Sequence, residues 1–419
     1  MALRDLVMDV RPLRVAPYRR LWMSTAVTSI GSQLTAVAVP KQVFDLTGSS
    51  GFVGLTGAVA LVPLLVFGLY GGAIADMMDR RKLLLITNAG IALSSVLLWL
   101  QAALAVNSVW IVLLLLGLQQ SFFAVNMPTR TAAIARLVPA ELMPSAMALG
   151  STVFTFGSVL GPLFAGALLP ILGLSTLYLI DSVALILAMY AVWRLPPLPP
   201  LNGEIRRAGL RDVLDGFRYL AGRTVLLASF LVDIIAMVAG MPRALFPEMA
   251  ERTFGDPPGG GVALGWLYAA IPLGAFLMGL SSGWLSKINR HGVGVIVAVC
   301  VWGAAMAGFG LTSSLWLAVV FLAIGGAADM VSAVYRSSIL QAAAPDEMRG
   351  RMQGVFTVVV AGGPRLADLT HGWTAAAAGT TVASAGGGFL VIVLTIGAAV
   401  WMSAFWRYRA DKEVATPME

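Results

Sequence analysis

Residues 292–311, GVGVIVAVCVWGAAMAGFGL, run for twenty positions without a charge. About twenty apolar residues is the length a helix needs to cross the hydrocarbon of a bilayer. The chain repeats this pattern twelve times, near 18–40, 51–75, 83–106, 109–136, 145–169, 174–193, 224–246, 262–286, 292–312, 314–340, 352–370 and 375–405. The weakest separator is HGWT at 371–374. Only closed barrels and helices satisfy every backbone polar group in lipid. Barrel strands read as short alternating segments, which these runs do not. Charged residues make up 12% of the 419 positions and hydrophobic ones 58%, where a soluble domain carries about 25% charge. The expected fold is an all-α membrane protein of twelve transmembrane helices.

Basic residues set the expected orientation. With both termini on one side, that side collects the arginines before span 1, Arg80, Arg81 and Lys82, Arg136, the cluster from Arg194 to Arg223, Lys287 and Arg290, Arg349 and Arg351, and Arg407, Arg409 and Lys412. The opposite loops hold Arg252 among Glu248, Glu251 and Asp256. The positive-inside rule then predicts cytoplasmic N- and C-termini. The net charge of +7 reads as an orientation device, and nucleic acid is not an expected partner, because the basic residues are spread over short loops. The first twenty residues lack a cleavable leader pattern, so span 1 itself is expected to direct insertion. The single cysteine, Cys300, lies inside span 9 and has no internal disulfide partner.

One long polar stretch, 196–223, divides the chain. It predicts an N-terminal six-helix bundle over 1–195, a cytoplasmic linker over 196–223 with a short amphipathic pattern (Leu210, Val213, Leu214, Phe217, Leu220), a C-terminal six-helix bundle over 224–407 and a tail over 408–419. The halves resemble one another. An offset of 206 sets Arg130 on Arg336, Pro139 on Pro345 and Glu141 on Glu347, while Pro40 and Lys41 match Pro242 and Arg243. Such pseudo-symmetric duplication is the mark of a secondary transporter.

GGAIADMMDRRK at 71–82 resembles the loop signature between the second and third helices of the major facilitator superfamily, with Gly72, Asp76, Arg80 and Arg81 in place and Asp79 where glycine is commoner. Its counterpart GWLSKINRHG at 283–292 has Lys287 in place of the acid. GSVLGPLFAG at 157–166 is similar to the helix-5 signature of proton-coupled exporters, through Gly157, Gly161, Pro162 and Gly166, and Arg130 stands where their fourth helix carries an arginine. GSSGFVGL, LYGGAIAD, GMPRALFPEMA, PDEMRGRMQGV and GGPRLADL resemble the enterobactin-exporter group of drug and siderophore efflux proteins. The resemblance covers nearly the whole chain. It implies a monomeric transporter of a small-molecule substrate in a lipid bilayer, with a central path lined by spans 1, 4, 7 and 10. The proton gradient would supply the energy, with no cofactor.

Charges inside spans are costly and normally face a cavity or a partner. Asp233 on span 7 and Asp329 on span 10 fall near mid-membrane and are the leading candidates for proton coupling; the alternative is permanent pairing with Arg336 or Arg243. Arg130 and Arg336 could relay a proton by competing for a carboxylate. Arg365, Asp368 and His371 share one face of span 11. They read as an interhelical lock built on an Arg365–Asp368 pair, or as part of a proton route. Asp181 in span 6 reads as a hydrogen-bonded pin. Asp76, Asp79, Arg80 and Arg81, with the glycines Gly157 and Gly161 and the bend at Pro162, are the gating candidates: a carboxylate there can cap a helix and bridge to basic groups. Gln33, Lys41, Gln42, Gln119, Asn126 and Arg243 are the candidates for cargo binding, with Lys41 and Arg243 suited to an anionic ligand or, alternatively, to gating with Asp45 and Glu248.

No GxxxxGK[ST] phosphate loop occurs, which argues against an ATP-driven pump. Two histidines and one cysteine, far apart in sequence, offer no nucleophile or metal constellation for an enzyme. An importer of the same fold and a lipid flippase are the alternatives to efflux.

Overall fold

The computed structural model describes residues 9–200, 218–343 and 346–408. Most of linker 196–223 and nearly all of tail 408–419 therefore lie outside the described residues. The amphipathic positions Leu210 to Phe217 lie outside them too. The chain forms α1 (Ala16–Thr47), α2 (Ser50–Met77), α3 (Arg80–Ala103), α4 (Val109–Leu137) and α5 (Met143–Trp193). After the linker come α6 (Thr224–Gly240), α7 (Phe246–Arg252), α8 (Val262–Leu280), α9 (His291–Leu311), α10 (Leu315–Ala343) and α11 (Asp346–Ala378). A π-helical turn at Val382–Gly386 leads into α12 (Gly387–Trp401), and α13 (Ser403–Trp406) follows. No strand occurs among the described residues.

Nine stretches of the described residues are long and apolar enough to cross a membrane. The order of the twelve expected spans is kept, and the difference in number has two causes. α5 is interrupted at Gly173, whose φ of 75° and ψ of 166° leave the helical region. Glycine tolerates that conformation, so one continuous apolar stretch holds spans 5 and 6. α1 and α11 fall outside the nine, the first carrying Ser, Thr and Gln along its length and the second carrying Arg365, Asp368 and His371. Local chemistry sets several ends: Gly48, at φ 63°, caps α1 in the left-handed region and its N–H reaches the Phe44 carbonyl at 2.7 Å.

Two compact units result. The first comprises Met1–Gly48, Ala58–Gly209 and Ala250–Ala269; the second comprises Ser49–Gly57, Leu210–Met249 and Ala270–Glu419. Within the first, α1 packs on α5 through a glycine face. A Cβ on Gly157 would stand 2.8 Å from Ser29 Oγ, one on Gly161 would stand 3.1 Å from Gln33 Cγ, and one on Gly166 would stand 2.7 Å from the Cα of Gly265 on α8. Small residues let helix backbones approach, which is what drives packing where lipid removes the hydrophobic contrast. Within the second unit the start of α2 meets α11 in the same way: Gly57 would place a Cβ 2.7 Å from Asp368 Cβ, and Gly54 would place one 3.1 Å from Gly372 Cα.

At the arginine-rich end of the first unit, Tyr18, Leu21, Leu84, Ala133, Leu137, Val138, Ala146, Leu149 and Val192 form an apolar cluster that also takes Leu195 and Leu198 from the start of the linker. That segment is held by carbonyl contacts. Arg81 donates to Trp193 O at 2.6 Å, Arg20 to Arg194 O at 2.9 Å, and Arg80 and Arg136 to Pro199 O at 3.1 and 3.2 Å. Pro199 cannot donate in return.

Candidate functional site

In the second unit, α6 supplies Asp233 and α10 supplies Asp329 and Arg336. The separation of seven positions from Asp329 to Arg336 is about two helical turns, so both project from one face. Arg336 is ion-paired with Asp233, and its Nη2 lies 3.7 Å from Asp329 Oδ1. Ser332, one turn back on α10, accepts from Arg336 Nε at 3.1 Å and fixes the guanidinium plane. The Asp233 and Arg336 side chains are 2% and 5% exposed, against 36% for Asp329. Two carboxylates thus share one guanidinium. Arginine keeps its proton, so the group carries a net charge of −1 when both acids are ionised, and one proton makes it neutral. A proton on one acid leaves the arginine to the other.

The same unit explains why charges stand in GGPRLADLTH. α6 stops at Gly240, Met241 leaves the helical region, and Pro242 precedes a 3-10 turn at Arg243–Leu245. In a continuous helix the N–H of residue 242 would bond the carbonyl of Val238, and proline has none. Thr370 Oγ1 of α11 donates to Val238 O at 3.2 Å. His371, 4% exposed, bonds the Ala239 carbonyl, and its Nδ1 lies 3.1 Å from Ala367 O. Asp368 accepts from the Ala244 N–H on the far side of the break, while Arg243 acts electrostatically on both Arg365 and Asp368. Arg365 Nη1 donates to Ala361 O at 2.6 Å. One face of α11 therefore splints the discontinuity in α6.

The first unit holds a polar ladder instead. Asp181, 1% exposed, accepts from Thr35 Oγ1 at 2.7 Å and Ser95 Oγ at 2.8 Å, and Gln119 Nε2 donates to Ser95 at 2.9 Å. Gln42 and Gln101 exchange amide hydrogen bonds at 3.1 and 3.0 Å, and Tyr178 donates to Gln42 Oε1 at 2.8 Å. Asn126 donates to Thr87 at 2.7 Å and Asn88 at 3.0 Å. Gln42, Gln119 and Asn126, candidates for cargo contact, are thus engaged inside the unit, where they join α1, α3, α4 and α5. Gln33 lies behind Gly161 on the α1–α5 contact. Arg130 donates to Thr25 Oγ1.

Lys41 is 1% exposed and paired with Asp45 one turn on and with Glu251 at 2.8 Å. The Lys41–Asp45 pair is the one expected under the gating alternative, Glu251 is a further acid on the same ammonium, and Glu248 accepts from Ser50 Oγ. Asp79 caps α3, accepting from the Arg81 and Lys82 N–H groups at 2.8 and 3.3 Å and from Leu198 N at 3.3 Å. The Asp76 side chain lies outside the described residues, so its expected part in a latch is not seen. Before α1, Arg11 donates to both oxygens of Asp9, and Ser145 donates at 2.8 Å. The Arg11 bonds hold the Asp9 carboxyl well below the usual carboxylate range.

Thr370, Thr35, Ser95, Gln101 and Glu251 were not selected from sequence. A hydroxyl or amide in an apolar run carries no charge signal, and Glu251, on α7, falls between the expected spans. Pro242 was the available clue for Thr370, because it leaves a carbonyl in need of a donor.

A family model described as transmembrane secretion effector matches residues 8–416. The chain is 32% identical over 351 residues to the enterobactin exporter EntS of Shigella boydii serotype 4, covering 81% of this chain and 80% of that protein. The same figures hold for EntS of Escherichia coli O1:K1. Among solved structures, a bacterial homologue of the human lysosomal transporter Spinster superposes with a TM-score of 0.70 at 18% identity, covering 95% of this chain and 97% of that one. The nucleoside transporter NupG gives 0.71 at 14% identity over 94% and 100%. The POT family transporter PepTSo gives 0.73 at 13% over 93% and 98%. These structures share the fold, and the sequence relatives share the lineage: the chain belongs to the transmembrane secretion effector family of major facilitator transporters and is a multi-pass membrane transporter.

Proposed function

We propose that this transporter exports an amphipathic small molecule, a siderophore or a lipophilic drug, across the bacterial inner membrane in exchange for protons. The observation that carries the reading is the Asp233–Arg336–Asp329 group, in which two acids share one base. The exporter relatives favour the outward direction, and the basic loops favour cytoplasmic termini.

In the proposed cycle, halves 1–195 and 224–407 alternately open the path to each side. With both acids ionised, the group is one proton short of neutrality and the open state accepts cargo from the cytoplasm. A proton arriving from outside binds the more exposed Asp329. Arg336 then pairs with Asp233 alone, and this redistribution lowers the affinity for cargo. By linkage, cargo must weaken proton binding by the same factor. Arg243, at the splinted break of α6, gives an anionic or catechol oxygen a positive partner, because broken helices place backbone and charge at the path. Lys41, held by Asp45 and Glu251, acts as a gate, as do Asp79, Arg80 and Arg81 at the other end.

The test is proton flux in proteoliposomes on addition of a catecholate siderophore or a lipophilic cation, with wild type, D233N and D329N. Cargo-dependent flux in wild type and its loss in D329N are expected. Undiminished flux in both variants would reject the triad as the coupling site.

A further inference from the structure

Among the described residues no positively charged side chain pairs with Asp181 of the first unit. Its side chain is 1% exposed, and its hydrogen-bond donors are two hydroxyls, those of Thr35 and Ser95, both on Oδ2. Oδ1 is buried with no hydrogen-bond partner and faces Gly31, where a Cβ would stand 2.6 Å from it.

The ionisable groups on the surrounding helices are engaged elsewhere. On α1, Lys41 is six residues beyond Thr35, about 9 Å along the axis, and is held by Asp45 and Glu251. On α3, Arg80 binds the Pro199 carbonyl and Arg81 the Trp193 carbonyl, and Lys82 is thirteen residues before Ser95. On α4, Arg130 binds Thr25 and Arg136 binds Pro199 O. On α5, Tyr178 donates to Gln42, and Arg194 is bonded to Tyr190. A carboxylate ionised in such a place, inside a membrane and beside neutral groups only, is strongly disfavoured.

We infer that Asp181, with Thr35 and Ser95, forms a binding site for one monovalent cation from solution, a proton or a sodium ion, separate from the triad of the second unit. The oxygen donors suit either cation. The close approach of Oδ1 to Gly31 and the two hydroxyls already on Oδ2 leave little room for an ion and favour the proton. A cation there neutralises the carboxylate that the hydroxyls of α1 and α3 hold against α5, so its loss leaves an uncompensated charge buried at the joint between those helices. The inference extends the proposed coupling to a second ion, yet stands whether or not the triad carries the first.

Purified wild type, D181N, T35V and the D233N/D329N double variant distinguish the cases. If the ligand is a proton, wild type at neutral pH shows an infrared carbonyl band of a protonated carboxyl. That band survives in D233N/D329N, moves in T35V, where one hydroxyl donor is gone, and is absent in D181N. If the ligand is sodium, added NaCl and not choline chloride raises the melting temperature of wild type and of the double variant, and this rise is lost in D181N. T35V carries the test should D181N fail to fold: its band must shift, or its sodium response must weaken. No protonated-carboxyl band assignable to Asp181 together with no sodium response overturns the inference. Loss of transport coupling in D233N or D329N leaves it untouched, because neither readout is transport.

Discussion

Arg130 and Arg336 occupy equivalent places in the internal repeat, yet their surroundings differ completely. Arg336 meets two carboxylates and a serine, whereas Arg130 meets the hydroxyl of Thr25. The acids are reversed as well: Asp233 has a base, and Asp181 has neutral donors. Duplication preserved the cation and dispersed its partners, so the two halves carry different electrostatic duties on one scaffold. The second half can redistribute charge between fixed groups. At Asp181 the first can hold charge only by taking a cation from outside.

The sharpest way to break this comparison is to remove each arginine in turn. Arg336→Met strands the buried Asp233, and loss of one partner of a buried pair costs about 3–5 kcal/mol. Thermal unfolding in detergent should show R336M strongly destabilised, while Arg130→Met, which strands no acid, should fall within about 1 kcal/mol of wild type, the scale of a single hydrogen bond. Equal losses would erase the distinction.

The helix contacts come next. Gly161→Val and Gly57→Val each force side-chain carbon against a neighbouring helix, and overpacking of this kind costs about 1–3 kcal/mol. Both should lower the melting temperature, and a neutral outcome would show that the close approaches are not fixed. His371→Leu leaves the Ala239 carbonyl without its side-chain donor, a loss of about 1–3 kcal/mol. His371→Gln, which retains a donor, should recover part of it in the same melt. Asp79→Ala removes the α3 cap at about 1 kcal/mol and should speed amide exchange in the first turn of that helix.

The smallest effect is the pH response before α1. The Asp9 carboxyl is depressed in the folded chain, so its contribution is present above the ordinary value of 3.8 and is lost as pH falls through the folded value. Amide exchange at Arg11 and around Ser145 should rise on acidification, and Asp9→Asn should flatten that rise.

The helices were legible because twenty apolar residues have one stable outcome in lipid, and Asp233, Asp329 and Arg336 stood out because charge inside an apolar run is costly. Their mutual approach was foreshadowed as an alternative pairing. The partners of Gln42, Gln119 and Asn126 were not legible. Periodicity tells which face of a helix a residue occupies, but not which helix lies against that face. GGPRLADLTH was the instructive case: its spacing placed the polar residues on one face, and only the break at Met241–Pro242 showed what that face is for. Asp76 was named from the resemblance and the linker from its polar composition.

The splint on α6 also has a consequence for how the protein is made. Thr370 is 132 residues downstream of the Val238 carbonyl that it serves. A ribosome therefore releases the broken end of α6 long before it releases the side chains that complete it. For that interval Val238 and Ala239 lack their eventual donors, and the insertion machinery or interfacial water must stand in for α11. Maturation of this half is thus a late event in synthesis, and a nascent chain halted before residue 370 is the form that quality-control proteases should find first.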